Sequence, residues 1–155
     1  MKYSGASLAL ILSIFAALVL QLIPVSGDLI YWRPNFLLLL MIALIIFKSD
    51  QRSITFAASM GFLADLVFGS PLGLNILLFS LVGAVPLYFS GWLVYFTLAH
   101  RCLFVFLLVI FSELMSKLLF LIWLVPENYN YIFMVALASA VVWPLFDISL
   151  RRIRQ

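Results

Sequence analysis

Between Ser53 and Ala99 the sequence carries one charged residue, Asp65, at the centre of GFLADLVFGSPLGLN (61–75). A carboxylate in such an apolar tract can accept hydrogen bonds, pair with a cation or meet a ligand. Left alone at a bilayer centre an ionisable residue costs about 2.5–3.5 kcal/mol on insertion scales. Ala57, Gly61, Asp65 and Gly69 recur every fourth residue and so share one helix face. Small residues at this spacing let a second helix approach closely, which predicts that Asp65 points at protein rather than lipid. Two readings of it stay open. In one it hydrogen-bonds neighbouring backbone or a basic group and fixes packing. In the other it belongs to a polar pocket open to the outer face. It stands roughly 6 Å, one helical turn, from the end of its tract, and Arg33 and Asn75 are candidate partners.

The second chemically capable set is Glu113 and Lys117, four residues apart near the middle of an apolar run. Glu placed four before Lys is the favourable helical order, and pairing lowers the cost of immersing both. The pair either neutralises itself or reaches across to another helix or to a partner. Asp147 and Arg151 repeat the spacing near the C-terminus, where Pro144 is expected to bend the helix. Arg151, Arg152 and Arg154 make a short basic tail, which fits topology anchoring at anionic headgroups or docking of a cytoplasmic partner. The single His100, beside Arg101, reads as an interfacial flank, and the single Cys102 as packing. One His and one Cys leave no Cys/His nucleophilic pair and no metal cluster, and HExxH, GxSxG and Walker motifs are missing. Nothing here calls for a cofactor, and an enzyme is disfavoured.

The elements that hold these residues follow from composition. The chain is 66% hydrophobic and 10% charged, with a mean hydropathy of +1.24, against roughly a quarter charged in soluble domains. Long apolar tracts in this proportion belong in a bilayer, and one integral membrane domain over residues 1–155 is expected. Punctuation by polar, Pro and Gly residues cuts six tracts, 7–23, 34–47, 53–69, 72–92, 102–124 and 130–150, which predicts an all-α membrane bundle of six transmembrane helices. No small-x-small site closes the first tract, so it reads as a retained span rather than a signal peptide. The second and third are short for a hydrocarbon core of about 30 Å, and need interfacial residues such as Tyr31 and Trp32 or local thinning. Fusing these two as re-entrant half-helices around KSDQR would place Lys48, Asp50 and Arg52 at mid-membrane depth, which is costly.

With the N-terminus inside, Lys2, Lys48, Arg52, Arg101, Arg151, Arg152 and Arg154 fall on the cytoplasmic side and only Arg33 outside. That bias predicts both termini in the cytoplasm. Trp92 and Tyr95, and Trp123, Tyr129 and Tyr131, fall where interfacial aromatics belong. GSPLG at 69–73 reads as a tight outer hairpin, PENYN at 126–130 as an outer loop, and 90–100 as an aromatic cytoplasmic connector.

In LQLIP (20–24), WRPNFLLLL (32–40), GFLADLVFGSPLGLN and VVWPLFDISLRRIRQ (141–155), the chain resembles the MreD family of rod shape-determining membrane proteins. The likeness is colinear over nearly the whole chain. Its specific parts are the WRPN entry and the D-x-x-x-G-x-x-L-G pattern around Asp65; Glu113 and Lys117 are not motif positions. The resemblance implies a non-enzymatic inner-membrane subunit of the elongation complex that binds MreC. It would work alongside MreB filaments, RodZ, RodA and a penicillin-binding transpeptidase in peptidoglycan synthesis. It also implies a compact bundle similar to the substrate-binding subunits of energy-coupling-factor transporters. From the residues, Arg33, Pro34 and Asn35 are expected to face Asp65, Gly69, Gly73 and Asn75 around an outward-facing polar pocket, with Arg33 or Asn35 bonded to Asp65 or its hairpin. The competing class is a small-molecule or lipid-precursor binding or transport bundle that uses this pocket.

Overall fold

A computed structural model describes residues 3–24, 27, 32–47, 53–93, 95–122 and 132–154, with the side chains of 3–7 and 149–154 left aside. The described residues form six helices and no strand: α1 (Tyr3–Leu22), α2 (Phe36–Phe47), α3 (Ile54–Phe68), α4 (Leu74–Leu93), α5 (Leu98–Ile122) and α6 (Ile132–Arg154). Lys2, Tyr31, Lys48, Asp50, Arg52, Trp123, PENYN and Tyr131 lie outside the described residues.

The shortest helix is the centre of the fold. Every residue of α2 from Leu37 to Phe47 is buried, and α1, α3, α4 and α6 all pack on it. The sequence FLLLLMIALIIF explains this, since a helix apolar all round needs apolar surroundings on every side. Its 12 residues rise only about 18 Å. Those four helices surround it. Among the described residues, two helices are by length and composition long and apolar enough to cross a membrane, α4 and α5.

Contacts between helix ends fix the directions. Gln21 near the end of α1 bonds Phe36 at the start of α2, and Asp65 near the end of α3 bonds the start of α4. Arg101 at the start of α5 reaches Leu93 at the end of α4, Phe47 at the end of α2 and Asp147 late in α6. Consecutive helices therefore alternate in direction. One end of the bundle carries the Asp65 hairpin and the entry to α2; the other carries Arg101. Phe47 stands at the Arg101 end, so α2 runs from one end of the core to the other.

Two boundaries differ from the sequence expectation. α5 starts at Leu98 rather than near 102, and α4 runs to Leu93, so most of the expected 90–100 connector is helical. Thr97 supplies the start signal. Its carbonyl accepts the first helical bond from Arg101 N at 3.1 Å, as that of an N-cap residue does, and its hydroxyl bonds the imidazole Nδ1 of His100. α6 continues through Pro144 to Arg154 rather than stopping at 150.

α3 and α4 make the tightest pair. A Cβ at Gly61 would fall on the carbonyl oxygen of Asn75 and 2.7 Å from Cα of Ile76. One turn earlier in α3, Ala57 faces Gly83, whose added Cβ would lie 2.7 Å from that of Ala57 and 3.3 Å from Sδ of Met41. Gly69 ends α3 in the left-handed conformation at φ 62°, where a Cβ is disfavoured. Gly61→Ala is expected to wedge the hairpin against backbone that cannot yield, costing about 1–3 kcal/mol. Gly91→Ala, with nothing within 4 Å, should leave thermal unfolding in detergent unchanged or slightly raised.

Candidate functional site

Three polar clusters account for most of the buried polar side chains. In the first, the Asp65 carboxylate is buried and faces its own hairpin. Its Oδ1 accepts from Ser70 Oγ at 2.8 Å and from Asn75 N at 2.9 Å, and its Oδ2 accepts from Gly73 N at 2.9 Å. Asn75 Nδ2 donates to Ser70 Oγ at 2.8 Å and closes the ring. The amides of Gly73 and Asn75 are among those that the start of α4 cannot satisfy within the helix. Asp65 thus caps α4 from α3, and its negative charge stands at the positive end of the α4 dipole. The chain turns back sharply enough for this because Gly69 and Gly73 take φ of 62° and 103°.

The second cluster does the same for α2. Asn35 Oδ1 accepts from Leu38 N at 3.1 Å, its carbonyl accepts from Leu39 N at 3.0 Å, and Gln21 Oε1 accepts from Phe36 N at 2.9 Å. The polar residues of LQLIP and WRPN thereby meet, Gln21 holding the first amide of α2 and Asn35 the third. Pro34 is buried beside them, and Nε of Arg33 is buried without a hydrogen-bond partner.

Both halves of the expected pocket therefore lie at one end of the bundle, but each serves a different helix. The acceptors of Asp65 go to Ser70, Gly73 and Asn75, and Arg33 forms no ion pair with it. The expected Arg33–Asp65 contact is corrected to a hairpin-internal one, because the backbone amides of Gly73 and Asn75, five and seven residues past the end of α3, are already within reach. Asn35, expected near that hairpin, is turned to its own helix.

The third cluster is at the opposite end. Arg101 Nη1 meets Asp147 Oδ1 at 2.8 Å with both side chains almost fully buried. Nε of Arg101 donates to the Leu93 carbonyl at 2.8 Å, and its guanidinium carbon lies 5.3 Å from the Phe47 ring centroid, a cation–π distance. One side chain joins the C-terminal ends of α2 and α4 to α6. Arg101 is therefore not a solvated flanking charge but a partner of Asp147, while the side chain of Arg151, the other residue expected near Asp147, lies outside the described residues. The pairing joins residues 46 apart, and only a three-dimensional register brings them together. The available signal was that one buried acid and one border arginine lie on consecutive helices.

Glu113 and Lys117 lie half-buried on α5, and Ser112 beside them is buried. On α6, Ala136, Ser139, Trp143 and Asp147 form the buried face, while Ala138 and Ala140 are half-buried. Ser139 Oγ and Trp143 Nε1 have no hydrogen-bond partner. Cys102 is a free thiol, half-buried and next to Arg101. Among the described residues no group of three or more His, Cys, Asp or Glu lies together.

These features define an all-helical chain, with two helices long and apolar enough to cross a membrane among the described residues, whose clustered polar side chains are turned toward its own helix ends. The chain belongs to the MreD family, matching the rod shape-determining protein MreD over residues 1–153 of 155. Its role is accordingly in rod shape determination. No solved structure matches the chain.

Two stability predictions follow from the clusters. Asp65→Asn replaces one acceptor oxygen by a donor facing an amide N–H, and is expected to cost about 1–3 kcal/mol, read as earlier thermal unfolding in detergent. Asp65→Glu should not restore it, because the longer chain misplaces both oxygens. Removing one member of a buried ion pair costs about 3–5 kcal/mol, whereas replacing both by apolar residues is often neutral. Arg101→Met and Asp147→Leu singly should therefore each destabilise more than the double variant, and a double-mutant cycle by thermal unfolding measures the difference.

Proposed function

We propose that the protein is a non-enzymatic scaffold of the rod-shape elongation complex, a multi-pass bundle whose six helices all cross the inner membrane. On this reading its lateral face binds the single transmembrane helix of MreC. It helps coordinate peptidoglycan synthesis, carried out by RodA and a penicillin-binding transpeptidase, with MreB filaments and RodZ. The observation that carries the reading is how the polar motifs are used. The carboxylate of Asp65, the amides of Gln21 and Asn35 and the guanidinium of Arg101 are bonded to helix ends inside the same chain. Side chains so engaged keep a shape rather than turn over a substrate, and family membership supplies the process in which the shape is used.

The alternating helix directions put the start of α1 and the end of α6 at the Arg101 end. The positive-inside bias then assigns that end, with both termini, to the cytoplasm, and the Asp65 hairpin and WRPN entry to the outer face. Arg151, Arg152 and Arg154 accordingly continue α6 toward the cytoplasmic machinery. Glu113 and Lys117, half-buried on α5, offer a polar handle within the membrane for the partner helix.

Purification of the tagged protein from native membranes, followed by mass spectrometry, tests this reading. Recovery of MreC and other elongation proteins is the expected result, with Glu113→Gln losing MreC while membrane insertion is unchanged. Recovery of no envelope protein, together with small-molecule binding in detergent that disappears in Asp65→Asn, would replace the scaffold by a ligand-binding bundle.

A further inference from the structure

The turn between α4 and α5 lacks the usual means of holding a helix end at a membrane surface. From Leu66 to His100 the sequence has no Lys, Arg, Asp or Glu, and the next charge, Arg101, is 3% exposed and bound to Asp147. Flanking cations ordinarily set such an end at the headgroup layer, and this one has been drawn into the core. What it exposes instead is aromatic. Tyr88 is 85% exposed, Trp92 73% and Tyr95 88%, the most exposed of the large hydrophobic side chains along with Ile122 at 73%. Tyr88 and Trp92 are four apart on one face of α4, and Tyr95 follows in the turn, where its N–H bonds the Trp92 carbonyl at 3.0 Å. Ring contacts brace the patch from behind, with Phe89 5.0 Å from Tyr88 and 6.3 Å from Phe104.

We propose that Tyr88, Trp92 and Tyr95 form a headgroup-binding surface that anchors the α4–α5 corner at the membrane interface in place of a charged flank. Each of these side chains has an apolar ring and one polar tip, which suits the layer where acyl chains meet glycerol carbonyls and phosphates. The phenol and indole groups donate to those acceptors while the rings stay among the upper acyl carbons. Their spread along α4 and into the turn covers roughly 6–10 Å of depth at 1.5 Å per residue, comparable to that interfacial layer. Freed from the surface, Arg101 can close the bundle from within.

The proposal rests on reading α4 and α5 as membrane spans, and one experiment separates the two. The protein and its Trp92→Phe variant are reconstituted in vesicles of phosphatidylethanolamine and phosphatidylglycerol. Bromine is placed on the acyl chains either near the carbonyl or near the methyl end, and the difference in emission reports Trp92 alone. Trp92 is exposed, so its replacement leaves the core intact. The expected result is quenching greater with shallow than with deep bromine, and little quenching by aqueous iodide. Trp92 emission open to iodide and indifferent to brominated lipid would overturn the anchor, as would quenching that is greatest with deep bromine. A Leu81→Trp probe near the middle of α4, in the Trp92→Phe background, tests the span. Deep quenching there with an unquenched Trp92 rejects the anchor alone, and no quenching at either position rejects the spanning reading too.

Discussion

The structure depends on the need to satisfy backbone groups at helix ends where water is scarce. Each helix leaves amides at its start and carbonyls at its finish without partners, and in hydrocarbon an unmet backbone group costs several kcal/mol. A soluble protein leaves many of these to solvent. Here the chain assigns side chains to them: Gln21 and Asn35 to the start of α2, Asp65 to the start of α4, and Arg101 to the end of α4. Because each donor or acceptor comes from a different helix or from a turn, these bonds also set how the helices are arranged. Capping and tertiary structure are one interaction in this protein.

The central position of α2 makes this necessary. A helix buried from Leu37 to Phe47 and flanked by four others cannot send its terminal amides to a membrane surface. The end of α1 meets its start and the Arg101 group meets its finish. The same packing explains the small residues of α3. Ala57 and Gly61 let α4 come close enough for Asp65 to reach the Asn75 amide, so a helix row of small side chains and a buried carboxylate belong to a single device. Enlarging Gly61 would move the acceptor as well as the helix.

Much of this was legible in the sequence. Periodic apolar tracts placed all six helices within a few residues of their bounds, because length and Pro/Gly punctuation are local properties. The row Ala57–Gly61–Asp65 and the GSPLG turn indicated a close hairpin with an inward acid, and Asn75 was among the partners considered. Two things depended on the fold as a whole. A uniformly apolar tract such as FLLLLMIALIIF looks the same whether lipid or protein surrounds it, so the centrality of α2 was hidden. Arg101 looked like an ordinary border cation, since its acceptor Asp147 is 46 residues away and no local spacing connects the two. Charge counting treats every arginine as solvated, and it misses one that is used as a bolt.

The inward use of polar groups also constrains how such a protein can be recognised. With Asp65 and Arg101 both bonded inside the bundle, the exposed lateral surface is dominated by Leu, Ile, Val and Phe on α1, α5 and α6. Between spans, hydrophobicity alone gives no preference over lipid, so recognition of one span by another rests on shape and on polar side chains within the membrane. Glu113 and Lys117 on α5 are the half-buried ionisable residues of that kind. A rigid bundle is what makes a sparse code workable, because two polar positions specify a partner only if the helix presenting them is held at a fixed height and rotation. The Arg101–Asp147 bond at the start of α5 fixes that helix against α4 and α6, so the buried ion pair at one end determines how the polar pair further along is displayed.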